Sequence, residues 1–193
     1  MDRFNNYGIW WIFISKKIMK NTIYKIPLIF TFFIFIIFLY FLIQDKDPSV
    51  PQSALMNKNV PQFEANDLLD ENLTFNNEIF LGKKSIINFF ASWCSPCKVE
   101  HSILIEISKN NKDVLMVGVN HKDKKSDAIE FIKTGNPYNY IAIDKDGKLA
   151  MDFGVYGLPE TFVLDENGII IFKHVGPITS KLYEKEIKKL LTN

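Results

Sequence analysis

The chain holds two cysteines, Cys94 and Cys97, standing two residues apart in Trp93-Cys94-Ser95-Pro96-Cys97. The apolar run Ile86-Ile87-Asn88-Phe89-Phe90 precedes them, so the pair falls where a strand hands over to a helix. A cysteine pair with that spacing at that place reads as a redox dithiol, one that trades electrons with another thiol or disulfide. The attacking species in such chemistry is a thiolate. The first turn of a helix favours it through unpaired N–H groups and the positive end of the helix dipole. Cys94, at the helix start with its sulfur open to a partner, is the candidate nucleophile, and Cys97, one turn in, is the more covered thiol. Pro96 suits an early helical position, because the N–H it lacks would have had no partner there. Lys98 adds a positive charge that favours thiolate.

Other readings of the pair stay open. A bare C-x-x-C is half of a zinc site, but no second cysteine pair exists and the histidines are scattered at His101, His121 and His174. His101 follows Cys97 by one helical turn, so spacing alone allows a copper or zinc site of Cys94, Cys97 and His101. A purely structural bridge would gain little, since closing so short a loop removes little unfolded-state entropy.

The 193 residues carry a net charge of +1, which hides an asymmetry. Residues 26–43 run for eighteen positions without a charge, IPLIFTFFIFIIFLYFLI, long enough to cross a hydrocarbon core as a helix. The 25 residues before them hold a net charge of +4, and residues 44–193 a net charge of −3. The positive-inside rule then expects a cytoplasmic segment at 1–25, a single-pass anchor at 26–43, a tether at 44–59 and an exported domain at 60–193. A cleaved signal peptide shares this layout, but the apolar stretch is long for one and Gln44-Asp45-Lys46-Asp47-Pro48 offers no small-residue cleavage site. Met19, followed by Lys20, would serve as an alternative start. In an oxidising compartment, a domain whose only cysteines form one C-x-x-C keeps them to be cycled.

Strand signals fall at Gln62–Ala65, Ser85–Phe90, Val114–Val119, Thr161–Leu164 and Ile169–Lys173, with Asp165-Glu166-Asn167-Gly168 as a hairpin turn between the last two. Helix signals span Ser95–Lys109, with Val99, Ile103 and Ile107 on one stripe, then Ser126–Lys133 and Ser180–Leu191. The order β-α-β-α-β-β-α, after an extra N-terminal strand or hairpin, calls for an α/β fold. Its central mixed sheet would have helices on both faces, with the anchor helix ahead of it.

With those elements the chain resembles the CcmG/DsbE family, the membrane-tethered thioredoxin-like proteins of cytochrome c maturation. The matching stretches are ASWCSPC at 91–97, Glu100-His101, GVNHKD at 118–123, GNPY at 135–138, DFGVYGLPETFVLDENGII at 152–170 and HVGPIT at 174–179. The resemblance implies a thioredoxin-like fold and a thiol:disulfide oxidoreductase. The enzyme would keep the thiols of apocytochrome c, or of a CcmH-like partner, reduced for haem attachment. It also implies re-reduction by a DsbD- or CcdA-like membrane carrier, at the periplasmic face of a bacterial inner membrane. No cofactor and no nucleic-acid partner is called for. The alternatives are an anchored reductase, or a metal chaperone, serving copper-centre assembly.

The family also implies site roles. Pro159 would have a cis peptide bond and face the C-x-x-C loop, leaving the backbone of Leu158 to hold a substrate strand. Thioredoxins usually carry a buried aspartate where this chain has Asn88, which cannot ionise, so another base must serve Cys97. Glu100, three residues further along the helix, is the leading candidate, with Asp152 and Glu160 as second choices. Trp93 and Tyr156 offer flat apolar surface to partners, and Glu160 joins Leu158 at the substrate surface. His121 stands where relatives often show tyrosine. The Asn136-Pro137-Tyr138 turn reads as structural.

Overall fold

A computed structural model describes residues 25–41 and 54–192. Residues 25–41 form a helix, α1, whose apolar side chains are exposed, among them Leu28, Phe33 and Phe41. It supplies most of the expected span. Among the described residues, however, no helix is long and apolar enough to cross a membrane, and residues 42 and 43 of the span lie outside them. The alternative start at Met19, the segment before residue 25 and most of the expected tether also lie outside the described residues.

The domain from residue 54 onward opens with a short antiparallel hairpin, β1 (Glu64–Asn66) and β2 (Thr74–Asn76), leading into a 3-10 turn at Asn77–Phe80. The main sheet has five strands: β3 (Ser85–Phe90), β4 (Leu115–His121), β5 (Tyr140–Asp144), β6 (Glu160–Leu164) and β7 (Ile170–Val175). Their spatial order is β5-β4-β3-β6-β7. β3 runs parallel to β4 and β4 to β5, whereas β6 is antiparallel to both β3 and β7. The helices are α2 (Ser95–Asn110), α3 (Lys125–Ile132), α4 (Lys148–Asp152), α5 (Ser180–Leu182) and α6 (Lys188–Thr192), the last two joined through a π-helical stretch at Tyr183–Ile187.

β3 is buried along its whole length because it is the central strand and both of its faces are covered. Successive side chains alternate between two cores. Ile86 and Phe90 pack with residues of α2, α3 and the C-terminal helical segment. Ile87 and Phe89 pack on the other face with Phe75, Phe80, Leu149 and Phe153 from the hairpin, the 3-10 turn and α4. Asn88 falls between Ile86 and Phe90 and so is delivered to the α2 face.

Three expectations are corrected. β5 and α4 carried no signal in the strand and helix reading, yet β5 is the edge strand that extends the parallel half of the sheet. The N-terminal hairpin forms as one of the two expected arrangements, but its first strand is Glu64–Asn66 and shares only Glu64 and Ala65 with the expected Gln62–Ala65. Val99 is 73% exposed instead of inward, because the buried stripe of α2 runs through Cys97, Glu100, His101, Leu104 and Ile107 and turns Val99 to solvent.

Candidate active site

Cys94 caps the N-terminus of α2. Its backbone is extended, and its sulfur accepts the Cys97 N–H at 3.1 Å, satisfying one of the donors that a helix start leaves open. Pro96 stands in the first turn, as its missing N–H allows. The two sulfurs are joined in a disulfide. In this oxidised form Cys94 is only 4% exposed and Cys97 1%, so the expected openness of the Cys94 sulfur is a small difference and not an exposed thiol.

The loop carrying the pair is tied to its neighbour by Asp123. That carboxylate accepts from the Ser92 N–H at 2.6 Å, the Ser92 hydroxyl at 2.8 Å and the Asn120 amide at 3.0 Å. Burial pushes the Asp123 carboxyl up, but the bonds from Ser92, Asn120 and the Lys124 N–H outweigh it and hold the group below its usual range. Trp93 adds a second tie, donating its indole N–H to the Lys122 carbonyl at 3.2 Å while 59% exposed. Only the GVNHKD motif as a whole pointed towards Asp123.

The buried residues of α2 that include Cys97 also bring Glu100 into a buried polar network. The Asn88 amide nitrogen donates to Glu100 Oε1 at 2.8 Å and to Thr161 Oγ1 at 3.0 Å, and its oxygen accepts from the Tyr138 hydroxyl at 2.6 Å. The Ile178 N–H donates to Glu100 Oε2 at 2.7 Å. Burial pushes the Glu100 carboxyl up to about 7, against the opposing pull of the Ile178 and Asn88 donors. Burial, reinforced by the Glu100 charge, pushes the Tyr138 phenol well above its usual range. Glu100 thus shares the buried face of α2 with Cys97 and titrates near neutrality.

Tyr138, read from sequence as a turn residue, is a member of this network. Its ring stacks on Phe90 with centroids 5.1 Å apart. Gly118 gives it room, since a Cβ there would come within 3.0 Å of that ring and 2.9 Å of Phe90.

The Leu158–Pro159 bond is cis. Pro159 is buried, Leu158 half-buried and Tyr156 68% exposed. Glu160 is the correction here: expected at the substrate surface or as a base, it is fully buried and committed to its own loop. Its Oε1 accepts from the Tyr156 N–H at 2.6 Å and the Gly157 N–H at 3.3 Å, and its Oε2 lies 2.8 Å from the buried Lys173 ammonium. Lys173 also donates to the Gly154 carbonyl at 2.7 Å and sits 5.0 Å over the Tyr156 ring. Asp152, the other second choice, forms an i,i+4 ion pair with Lys148 on the surface of α4.

His101 donates its Nε2–H to the Gly135 carbonyl at 2.8 Å and packs against Phe131. Burial lowers its pKa, with the Gly135 carbonyl opposing. Among the described residues no group of three or more histidine, cysteine or acidic side chains is placed to hold a metal. His121 donates to Asp144 Oδ2 at 2.7 Å, and Asp144 in turn receives the Leu149 and Ala150 N–H groups that open α4.

Comparison with known proteins agrees with this geometry. The Redoxin family model matches residues 55–191. The chain is 39% identical over 146 residues to the thiol:disulfide interchange protein DsbE of Allochromatium vinosum, covering 75% of this chain and 80% of that one. To the Escherichia coli (strain K12) protein of the same name it is 38% identical over 177 residues, 89% of this chain and 95% of that one. Among solved structures, MTB dsbF in mixed oxidized and reduced forms aligns with a TM-score of 0.61 at 26% identity, covering 68% of this chain and 99% of that one. A helix-capping cysteine pair on a thioredoxin-like sheet, matched along most of its length to DsbE proteins, shows that the chain belongs to the CcmG/DsbE family and is a thiol:disulfide oxidoreductase acting on thiol-containing proteins.

Proposed function

We propose that this oxidoreductase is a reductant in cytochrome c maturation, delivering electrons to the disulfide of apocytochrome c or of a CcmH-like partner before haem attaches. The observation that carries the reading is the DsbE likeness along 89% of the chain, which spans the GNPY and GVYGLPET stretches as well as the cysteines. The Cys94 thiolate attacks one sulfur of the substrate disulfide, whose S–S bond breaks and releases one substrate thiolate. Cys97 then loses its proton to Glu100 and attacks the Cys94 sulfur. The mixed disulfide breaks, the second substrate thiolate leaves, and the domain ends in its oxidised form. Two electrons have passed from the Cys94–Cys97 pair to the substrate.

A carboxyl that titrates near 7 suits this step, because it can accept the Cys97 proton and return it when the pair is re-reduced. Asn88 cannot do so, and Asp152 and Glu160 are held by lysines. Trp93, next to Cys94 in the chain, and Tyr156, in the loop of the cis proline, are both well exposed and meet the substrate, and the Leu158–Pro159 segment receives its backbone. The apolar stretch at 26–43 anchors the chain in a bacterial inner membrane as a single pass with the domain in the periplasm, and a DsbD- or CcdA-like carrier restores the dithiol.

Full-length Cys97→Ser expressed in cells that make c-type cytochromes tests the substrate. The expected capture is a disulfide-linked adduct with an apocytochrome c or a CcmH-like protein. Recovery of only copper-centre assembly proteins would overturn the assignment.

A further inference from the structure

The buried network around Asn88 has a fixed donor order, and its Tyr138 end holds that order whatever the protonation state of Glu100. A carboxamide buried among polar groups can lie either way round, presenting its NH2 or its oxygen to a given neighbour. Asn88 faces Glu100 and Thr161 on one side and the Tyr138 hydroxyl on the other. Thr161 accepts or donates equally well, so it does not choose. Tyr138 does: its phenol is held far from ionisation by burial, and its hydroxyl donates to Asn88 Oδ1 at 2.6 Å. With the oxygen so engaged, both amide hydrogens point the other way, and one of them reaches Glu100.

We propose that Tyr138 is a positioning residue: its hydroxyl, acting through Asn88, fixes an N–H donor on Glu100 and thereby sets the protonation of that carboxyl. This rests on the reading of Glu100 as the base for Cys97 only for its consequence in turnover. Without the hydroxyl, Asn88 Oδ1 is a buried acceptor with no donor, and the amide is no longer held from that side against turning over. The turned amide offers its oxygen to Glu100, a contact that repels a carboxylate and accepts a hydrogen bond from a carboxylic acid. Loss of the Tyr138 hydroxyl therefore favours the protonated form.

The other groups around Glu100 do not supply this control. On α2 itself its neighbour one turn back is Cys97, locked in the disulfide. β3 brings the neutral Asn88 and β6 the neutral Thr161. From β7 comes His174, cross-strand from Thr161, whose pKa is lowered by burial against a hydrogen bond to Pro177. The segment before α5 gives the Ile178 N–H. Tyr138 is the group that can be altered without changing any of these. Tyr138→Phe keeps the ring that stacks on Phe90.

The test uses the full-length oxidised chain with 13C-labelled glutamate, following the Glu100 carboxyl by NMR against pH, alongside the pH dependence of mixed-disulfide resolution in the reduced protein. The wild-type carboxyl is expected to titrate near 7. In Tyr138→Phe the midpoint is expected to rise by about one unit, the scale of a lost hydrogen bond to a carboxylate. In an Asn88→Ala background the same substitution is expected to move nothing, since the mediator is gone. A lower melting temperature with an unmoved midpoint would make Tyr138 merely structural and overturn the inference. If the carboxyl midpoint moves and the resolution profile does not, the inference stands and the assignment of Glu100 as the base fails.

Discussion

Stability against pH exposes the buried Glu100 directly. Its carboxyl moves from an ordinary value of 4.5 to about 7 on folding, chiefly because burial penalises the anion. The native state therefore binds more protons than the unfolded chain between those two values, and the stability of the fold falls as pH rises through that window. Below 4.5 both states are protonated and the group is neutral to folding; above 7 the full penalty of the buried anion applies. At roughly 1.4 kcal/mol per unit, the displacement amounts to about 3 kcal/mol. Glu100→Gln removes it, but an amide also puts an NH2 against one of two N–H donors, which adds an offset that does not change with pH. The informative quantity is the difference between variant and wild type, measured by urea unfolding of the oxidised proteins from pH 4 to 9. Contributions from His101 and His174, whose lowered values make stability rise with pH, cancel in that difference. The variant is expected to gain about 3 kcal/mol on wild type between pH 4.5 and pH 8, most steeply near 6. A difference that stays level across the range would refute the burial argument.

Lys173→Met leaves the buried Glu160 carboxylate without its cation and should destabilise the domain by about 3–5 kcal/mol, read by urea unfolding, with most of it recovered by Lys173→Met/Glu160→Gln. Trp93→Ala, at an exposed position, should change unfolding free energy by less than about 1 kcal/mol while lowering kcat/KM for a protein disulfide roughly tenfold. Asp123→Ala should destabilise the fold by about 2 kcal/mol at neutral pH and slow substrate reduction, because Ser92 loses both of its ties. Since the native Asp123 carboxyl is held below its ordinary value, that gap should be full above about pH 4 and close as pH falls further, in acid unfolding curves.

Much of the fold was legible because its central elements are long and apolar. β3 and β4 read as strands from near-continuous hydrophobic runs, the mark of strands covered on both faces. β5 was not legible: its five residues follow Asn136-Pro137-Tyr138, a turn signal, and end at Asp144, whose burial is justified only by His121 and the start of α4. α4 is too short to show a period. The stripe of α2 was misread at Val99 because apolarity was taken to mark the inner face, whereas Glu100 and His101 occupy it. Cys94, Cys97 and Glu100 belong to one helix and its cap, so local spacing was enough to bring them together. Tyr138 reaches Asn88 across fifty positions of sequence, and Lys173 meets Glu160 only because β6 and β7 pair, so no local pattern announced either. Glu160 was assigned outward from its motif, but its carboxylate closes hydrogen bonds to the backbone of its own loop.

The division of labour between the two sulfurs is the claim on which the chemistry turns, and trapping measures it most directly. Full-length Cys94→Ser and Cys97→Ser, each reduced and mixed with a disulfide-bonded peptide, are compared for covalent adduct on non-reducing gels and by intact mass. Cys97→Ser is expected to accumulate the mixed disulfide through Cys94, and Cys94→Ser to form none. Adduct on Cys94→Ser with none on Cys97→Ser would contradict the assignment of attacker and resolver.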